Sequence, residues 1–171
     1  MGKCSSVATL AASTKDGLEH RLVIDAVVEG MRHCGVDVTT VRGPEVVRLA
    51  TVLHLATTIA GTVDTRSASS ALDLALRLHP TPAVAGAPRE TALAMLRRLE
   101  SFDRGCYAGP VGWVDADGDG EWAVALRCAE LDGTTARLVA GAGVVAGSDP
   151  DAEWAETQAK LEPMLRVLVQ P

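Results

Sequence analysis

The stretch Tyr107 to Lys160 decides the reading of this chain. It opens YAGPVGW (residues 107–113), runs through WAVALR (122–127) and GAG (141–143), and closes in DPDAEWAETQAK (149–160). Alternation and turn residues predict strands followed by a glycine turn, and the last block is a helix. Glu153, Glu156 and Lys160 fall at i, i+3 and i+7, so they share one helix face, and Glu156–Lys160 is a favourable i,i+4 ion pair. Such a face is either a solvated stripe or a source of carboxylate oxygens for Mg²⁺, which usually takes only one or two from protein. Arg127 lies in an apolar strand, so its planar fork is either paired structurally or aimed at an anion. Gly141 and Gly143 let backbone approach a ligand. Together these residues point to a small anion bound with a divalent cation.

Composition limits the alternatives. The 171 residues suit one domain; 47% are hydrophobic and 22% charged, which is globular usage. A net charge of −6 without a Lys/Arg run argues against nucleic acid and against anionic membrane as partners. No apolar run approaches the ~20 residues that span a bilayer. Cys4, Cys34, Cys106 and Cys128 are scattered and form no C-x-x-C. With no signal peptide visible, they are expected to be reduced thiols of a cytoplasmic protein. MGKCSS at the start formally matches a lipidation motif, which in a chain of this composition is expected to be a chance match.

Upstream, residues 8–31 are expected to be helical, with Thr14 as cap and Asp16 in the first turn. Leu22, Val23, Ala26 and Val27 form its apolar stripe, and Glu19 continues that stripe. A carboxylate there needs a partner: a salt bridge, a helix end at the surface, or a ligand. Residues 36–41 and 47–59 are expected to be strands, with His54 facing either a ligand or the core. Residues 61–65 are expected to turn, and 69–78 to form a helix burying Leu72, Ala75 and Leu76. The loop HPTPAVAGAP (79–88) is stiff enough to wall a pocket, and Pro88 is expected at the first position of a helix ending near Glu100. DADGDG (115–120) imitates half of a calcium loop. Its twelfth position is Leu126, so a hairpin turn is expected instead. Residues 122–130 and 136–142 are expected as strands joined by Asp132-Gly133. GAGVVAG is not G-x-G-x-x-G, so dinucleotide binding is not supported. Asp149 caps the last helix, with Pro150 following.

Seven blocks in this order resemble the C-terminal half of the chorismate-utilising enzymes, most closely those of the isochorismate synthase type. They are AASTKDGLEHRLV (11–23), VLHLATTIAG (52–61), LHPTPAVAGAP (78–88), FDRGCYAGPVGW (102–113), ALRCAELDG (125–133), RLVAGAGVV (137–145) and EWAETQAKL (153–161). The resemblance implies an α+β fold, half of the chorismate-utilising enzyme fold, with an antiparallel β-sheet core flanked by helices. It covers residues 11–168, leaving 1–10 unmatched and 169–171 as a tail. It implies that Glu19 and Glu156 each bring a carboxylate to one Mg²⁺, with Asp16 and Glu153 as nearby or water-mediated partners. It also implies that Arg127, the backbone at Gly141 and Lys160 hold the carboxylates of chorismate or isochorismate. Tyr107 would lie beside them and His54 near the reacting hydroxyl. Ala83 stands where salicylate and anthranilate synthases vary. One departure is KDGLEH, with Gly17 where arginine is common.

The resemblance further implies that the activating lysine and the proton-donating glutamate belong to a first half with no counterpart in these 171 residues. The expected protein is therefore a truncated isochorismate synthase of menaquinone or siderophore synthesis, inactive by itself. The alternatives are a module complementing a separate N-terminal half, or a truncated salicylate or anthranilate synthase. An apolar sheet face is expected to be open to that half or to self-association.

Overall fold

The computed structural model describes residues 7, 10, 12–48, 53–64 and 69–169. The MGKCSS segment, Cys4 and Val52 lie outside the described residues. Helix α1 (Thr14–His33) starts one residue earlier than a Thr14 cap requires: Ser13 is the N-cap, and its hydroxyl accepts the Asp16 N–H at 3.2 Å. Gly35, at φ +79, takes the chain out of the helix.

Strands β1 (Val36–Arg48) and β2 (Leu53–Val63) form one long antiparallel hairpin. This corrects the expected division into strands 36–41 and 47–59. Gly43-Pro44 does not end β1; it is absorbed as a register shift between Arg42 and Glu45, and Val47 pairs with His54. The reversal falls between Arg48 and Leu53, and β2 runs through the expected 61–65 turn as far as Val63.

Helix α2 (Ala71–Leu78) opens on a capping box between Ser70 and Asp73. A one-turn helix α3 (Pro82–Ala85) interrupts the proline-rich loop, and α4 (Arg89–Leu99) follows. Pro88 is the N-cap of α4, not its first helical residue. Strands β3 (Pro110–Val114) and β4 (Gly120–Val124) flank the Asp115 turn, where Asp115 Oδ1 accepts the Asp117 and Asp119 N–H groups, each at 3.0 Å. Strands β5 (Ala129–Asp132) and β6 (Thr135–Leu138) turn at Gly133. The expected single strand 122–130 is broken at Arg127, whose φ is +53, and β6 ends at Leu138, short of residue 142. Helix α5 (Pro150–Val169) is capped by Asp149 Oδ1, which accepts the Ala152 N–H at 2.8 Å.

The architecture is α+β, and the strands among the described residues lie in three two-stranded antiparallel sheets. Helix α1 packs on the β1–β2 hairpin and on α2 and α3, while α2 packs on β3 and β4. The core is thin. Among the described residues the buried hydrophobics are Val36, Ala85 and Ala108. Leu22 and Leu76, expected to be interior, are 42% and 59% exposed. The accessible surface is 12086 Å². A self-contained monomer of 17.8 kDa would show about 8000 Å². Among the described residues no helix is long and apolar enough to cross a membrane, and Cys34, Cys106 and Cys128 are free thiols.

Candidate functional site

The N-terminal parts of α1 and α5, the start of β2 and the irregular segments after β4 and β6 meet at one place. Ordinary helical spacing puts Lys15 and Glu19 one turn apart on α1, and Glu153, Glu156 and Lys160 along α5. Lys15 Nζ donates to Glu153 Oε1 across the two helices and lies 3.5 Å from Glu19 Oε1. Glu153 is 8% exposed, the one buried charged residue among those described. Burial disfavours its carboxylate, but the Lys15 hydrogen bond, Ser148 and the Lys15 and Lys160 charges outweigh this, so its pKa falls below the usual value. Glu19 moves the other way: burial raises its pKa, and Lys15 only partly offsets it. Burial also works against the Lys15 ammonium, yet Glu153, Glu19 and Glu156 hold its pKa above the ordinary lysine value.

The second part of the site is cationic. Arg127 Nη2 lies 2.6 Å from His54 Nε2. Lys160 Nζ donates to the Gly141 carbonyl at 2.9 Å and pairs with Glu156 Oε1 at 2.7 Å. Burial first, then the Arg127 and Lys160 charges, lower the His54 pKa. A left-handed φ is uncommon away from glycine, and its strain is characteristic of functional positions. Here that bend takes Arg127 out of the strand and points it at His54. Tyr107 stands beside Gly141: a Cβ built on Gly141 would lie 3.3 Å from the phenol oxygen. Gly143 closes the acidic side, since a Cβ there would meet Glu19 Oε2 at 2.6 Å.

The structure therefore brings together Glu19, Glu153, Glu156, His54, Tyr107, Arg127, Gly141 and Lys160. Glu156 engages Lys160, whereas Glu153 shares Lys15 with Glu19. Asp16 lies in the same first turn of α1, and its charge acts on Glu19. Ala83 is exposed on α3, which packs on α1 and α4. Among the described residues, no three metal-ligating side chains converge as a formed metal cluster. A divalent cation nevertheless fits the donor set: Glu19 Oε1 and Glu153 Oε2 are buried carboxylate oxygens with no hydrogen-bond partner.

Sequence reasoning passed over three residues. Lys15 stood in view four residues before Glu19, and its spacing signals an ion pair. Gly143 carried the signal of a close backbone approach without naming what approaches. Arg104 pairs through two nitrogens with Glu100 at 2.8 and 2.6 Å, donates to the Val84 carbonyl at 2.7 Å, and lies 5.7 Å from the Tyr107 ring centroid. It ties the α3 loop to the tyrosine, and only the tertiary fold reveals that.

A family profile described as chorismate binding enzyme matches residues 5–169. The chain is 45% identical over 161 residues to the isochorismate synthase DhbC of Bacillus subtilis (strain 168), covering 94% of this chain and 40% of that protein. It is 44% identical over 158 residues to the isochorismate synthase EntC of Escherichia coli (strain K12), with 92% and 40% covered. To a vibriobactin-specific isochorismate synthase of Vibrio cholerae it is 46% identical over 159 residues, again with 92% and 40% covered. A solved structure from Bacillus anthracis, assigned as a 2,3-dihydroxybenzoate-specific isochorismate synthase, superposes with a TM-score of 0.87 at 43% identity, covering 95% of this chain and 43% of that one. The chain thus spans about two fifths of the length of the relatives it matches.

Proposed function

The chain belongs to the chorismate-binding enzymes, and from that premise we propose that it is the carboxylate- and metal-binding part of an isochorismate synthase. The observation that carries this reading is the pairing of two halves in one site. Arg127 and Lys160 are fixed cations around His54, and Glu19 and Glu153 are carboxylates with spare oxygens a short distance away. Chorismate is a dicarboxylate. Arg127 offers it a planar donor fork and Lys160 a point charge. Tyr107 and the Gly141 backbone fix one wall of its pocket.

A Mg²⁺ held by Glu19, Glu153 and Glu156, with Asp16 nearby, would supply charge neutralisation for a substrate carboxylate. His54 is held neutral and close to Arg127. In this reading it orients a ring hydroxyl and does not serve as the general base. The base and acid that activate water and protonate the departing hydroxyl are assigned to the portion of the relatives that this chain does not span. The chain alone is then a binder of chorismate or isochorismate that does not turn it over, working in the cytoplasm.

A second reading is a module that completes itself with a separately made N-terminal half. It is favoured by the accessible surface of 12086 Å², about 4000 Å² beyond that of a self-contained monomer. One experiment addresses both readings: chorismate and Mg²⁺ are incubated with the chain, alone and then with the missing first portion of an isochorismate synthase, and products are separated by chromatography. Isochorismate only in the combined sample is the expected result. Isochorismate from the chain alone would mean that its own residues include the acid–base pair. Salicylate or anthranilate from the combined sample would reassign the reaction.

A further inference from the structure

The two carboxylates that face each other across α1 and α5 share one partner, the Lys15 ammonium. It is hydrogen-bonded to Glu153 Oε1 and lies 3.5 Å from Glu19 Oε1. Lys15 and Glu153 are 138 residues apart, so this contact joins the chain's first described helix to its last. The arrangement leaves oxygens over: Glu19 Oε1 is only at ion-pair distance, and Glu153 Oε2 has no hydrogen-bond partner. The pair carries two negative charges against one ammonium, so the acidic pocket is under-neutralised.

We infer that the Lys15 ammonium is a built-in counter-ion that holds the Glu19–Glu153 pair together until a divalent cation takes its place. The inference rests on the metal reading of this site given above. The exchange is favoured by charge. A doubly charged ion balances the two carboxylates, whereas an ammonium left beside it would be a like charge within a few ångströms in a partly buried site. It is feasible because lysine is a compact charge on a flexible stem, and the Lys15 side chain is 32% exposed, so a path to water is open. Gly143, having no side chain, leaves room for the Glu19 carboxylate at this spot. Lys15 is thus a positioning residue: it assembles the ligand set before the metal arrives and competes with it.

The test is calorimetric titration of MgCl₂ into the chain and into K15M and K15R, without substrate. K15M should bind Mg²⁺ about tenfold more tightly, about 1.4 kcal/mol. K15R, which keeps the charge, should not tighten. Without metal, K15M should melt below the native chain, and Mg²⁺ should raise its melting temperature by more. Equal affinities for all three proteins would overturn the exchange while leaving the metal reading intact. Weaker binding by K15M would also overturn it, making Lys15 a supporting group. Absence of Mg²⁺ binding in every protein would remove the metal reading, and the inference with it. Should K15M lack helical circular dichroism without metal, recovery on adding MgCl₂ supports the exchange, and no recovery overturns it.

Discussion

The guanidinium of Arg127 reaches His54 Nε2 at 2.6 Å. An arginine nitrogen can only donate, so the imidazole nitrogen accepts and the ring proton sits on Nδ1. On the proposed reading, this pairing would hold the fork in place to receive a substrate carboxylate. The first prediction concerns this pair. The His54 pKa, followed by NMR, should lie below the usual 6.5 and rise in R127A, since that variant removes an adjacent positive charge. R127A should also lose chorismate binding by about 2–5 kcal/mol, the usual cost of deleting one partner of a buried charged pair. An unchanged His54 titration would dissolve the pairing.

A second prediction follows from three histidines. His20, His54 and His79 all have pKa values lowered by burial, so the folded chain binds fewer protons than the unfolded chain below 6.5. Stability should therefore be full above pH 6.5 and decline as the pH falls below it. Glu19, whose pKa is raised above 4.5, works with the opposite sign from that pH upward, so the decline should be steepest just under 6.5. Urea midpoints measured from pH 5 to pH 8 check the sign. A midpoint that rises on acidification from 6.5 would contradict it.

Gly143 gives a third prediction. A methyl group there would sit 2.6 Å from Glu19 Oε2, and this glycine has no left-handed φ that would forbid alanine. G143A should therefore move the carboxylate without unfolding the chain. Mg²⁺ affinity should fall about tenfold, ~1.4 kcal/mol. Melting temperature should stay within a few degrees. Equal weakening of fold and metal binding would mean that Gly143 is a packing residue only.

Gly17 marks a place where sequence and structure agree on a cost. It lies inside α1, and a Cβ there meets nothing within 4 Å. G17A should stabilise the chain by about 1 kcal/mol and raise the melting temperature by about 2–4 °C. A calorimetric scan that shows no rise would imply a contact at Gly17 absent from the described residues.

What could be read from the residues alone was local. The Asp149–Pro150 cap, the Asp115 turn and the Gly133 turn carry their chemistry within a few positions, and each stands where the pattern puts it. The pattern divides β1 at Gly43-Pro44 because that pair resembles a turn, whereas the strand absorbs it as a register shift between Arg42 and Glu45. Arg127 was read as a strand residue because nothing in its neighbours announces a left-handed bend. Within the site, the spacing on α5 exposed its acidic face. The partnering of Glu153 with Lys15 depends on how α1 meets α5, and no local pattern encodes that.

The last prediction concerns the uncovered side. Leu22, Leu76, Val111, Trp113 and Leu131 are between 42% and 67% exposed. Trp122 Nε1 is a buried donor with no partner, a condition that costs about 1–3 kcal/mol if left so. A two-stranded sheet is marginal by itself, and the described residues form three. The surface in excess of a self-contained monomer, about 4000 Å² on this one partner, is as large as the area both partners together bury in many obligate interfaces. Sedimentation of the chain alone should therefore show concentration-dependent self-association together with binding of a hydrophobic dye. On the module reading, adding the first portion of an isochorismate synthase should replace both with a one-to-one complex, since that portion would then cover these apolar faces. A chain that stays monomeric, binds no dye and ignores the added portion would show that these faces are stable in water, and the module reading would fall with it.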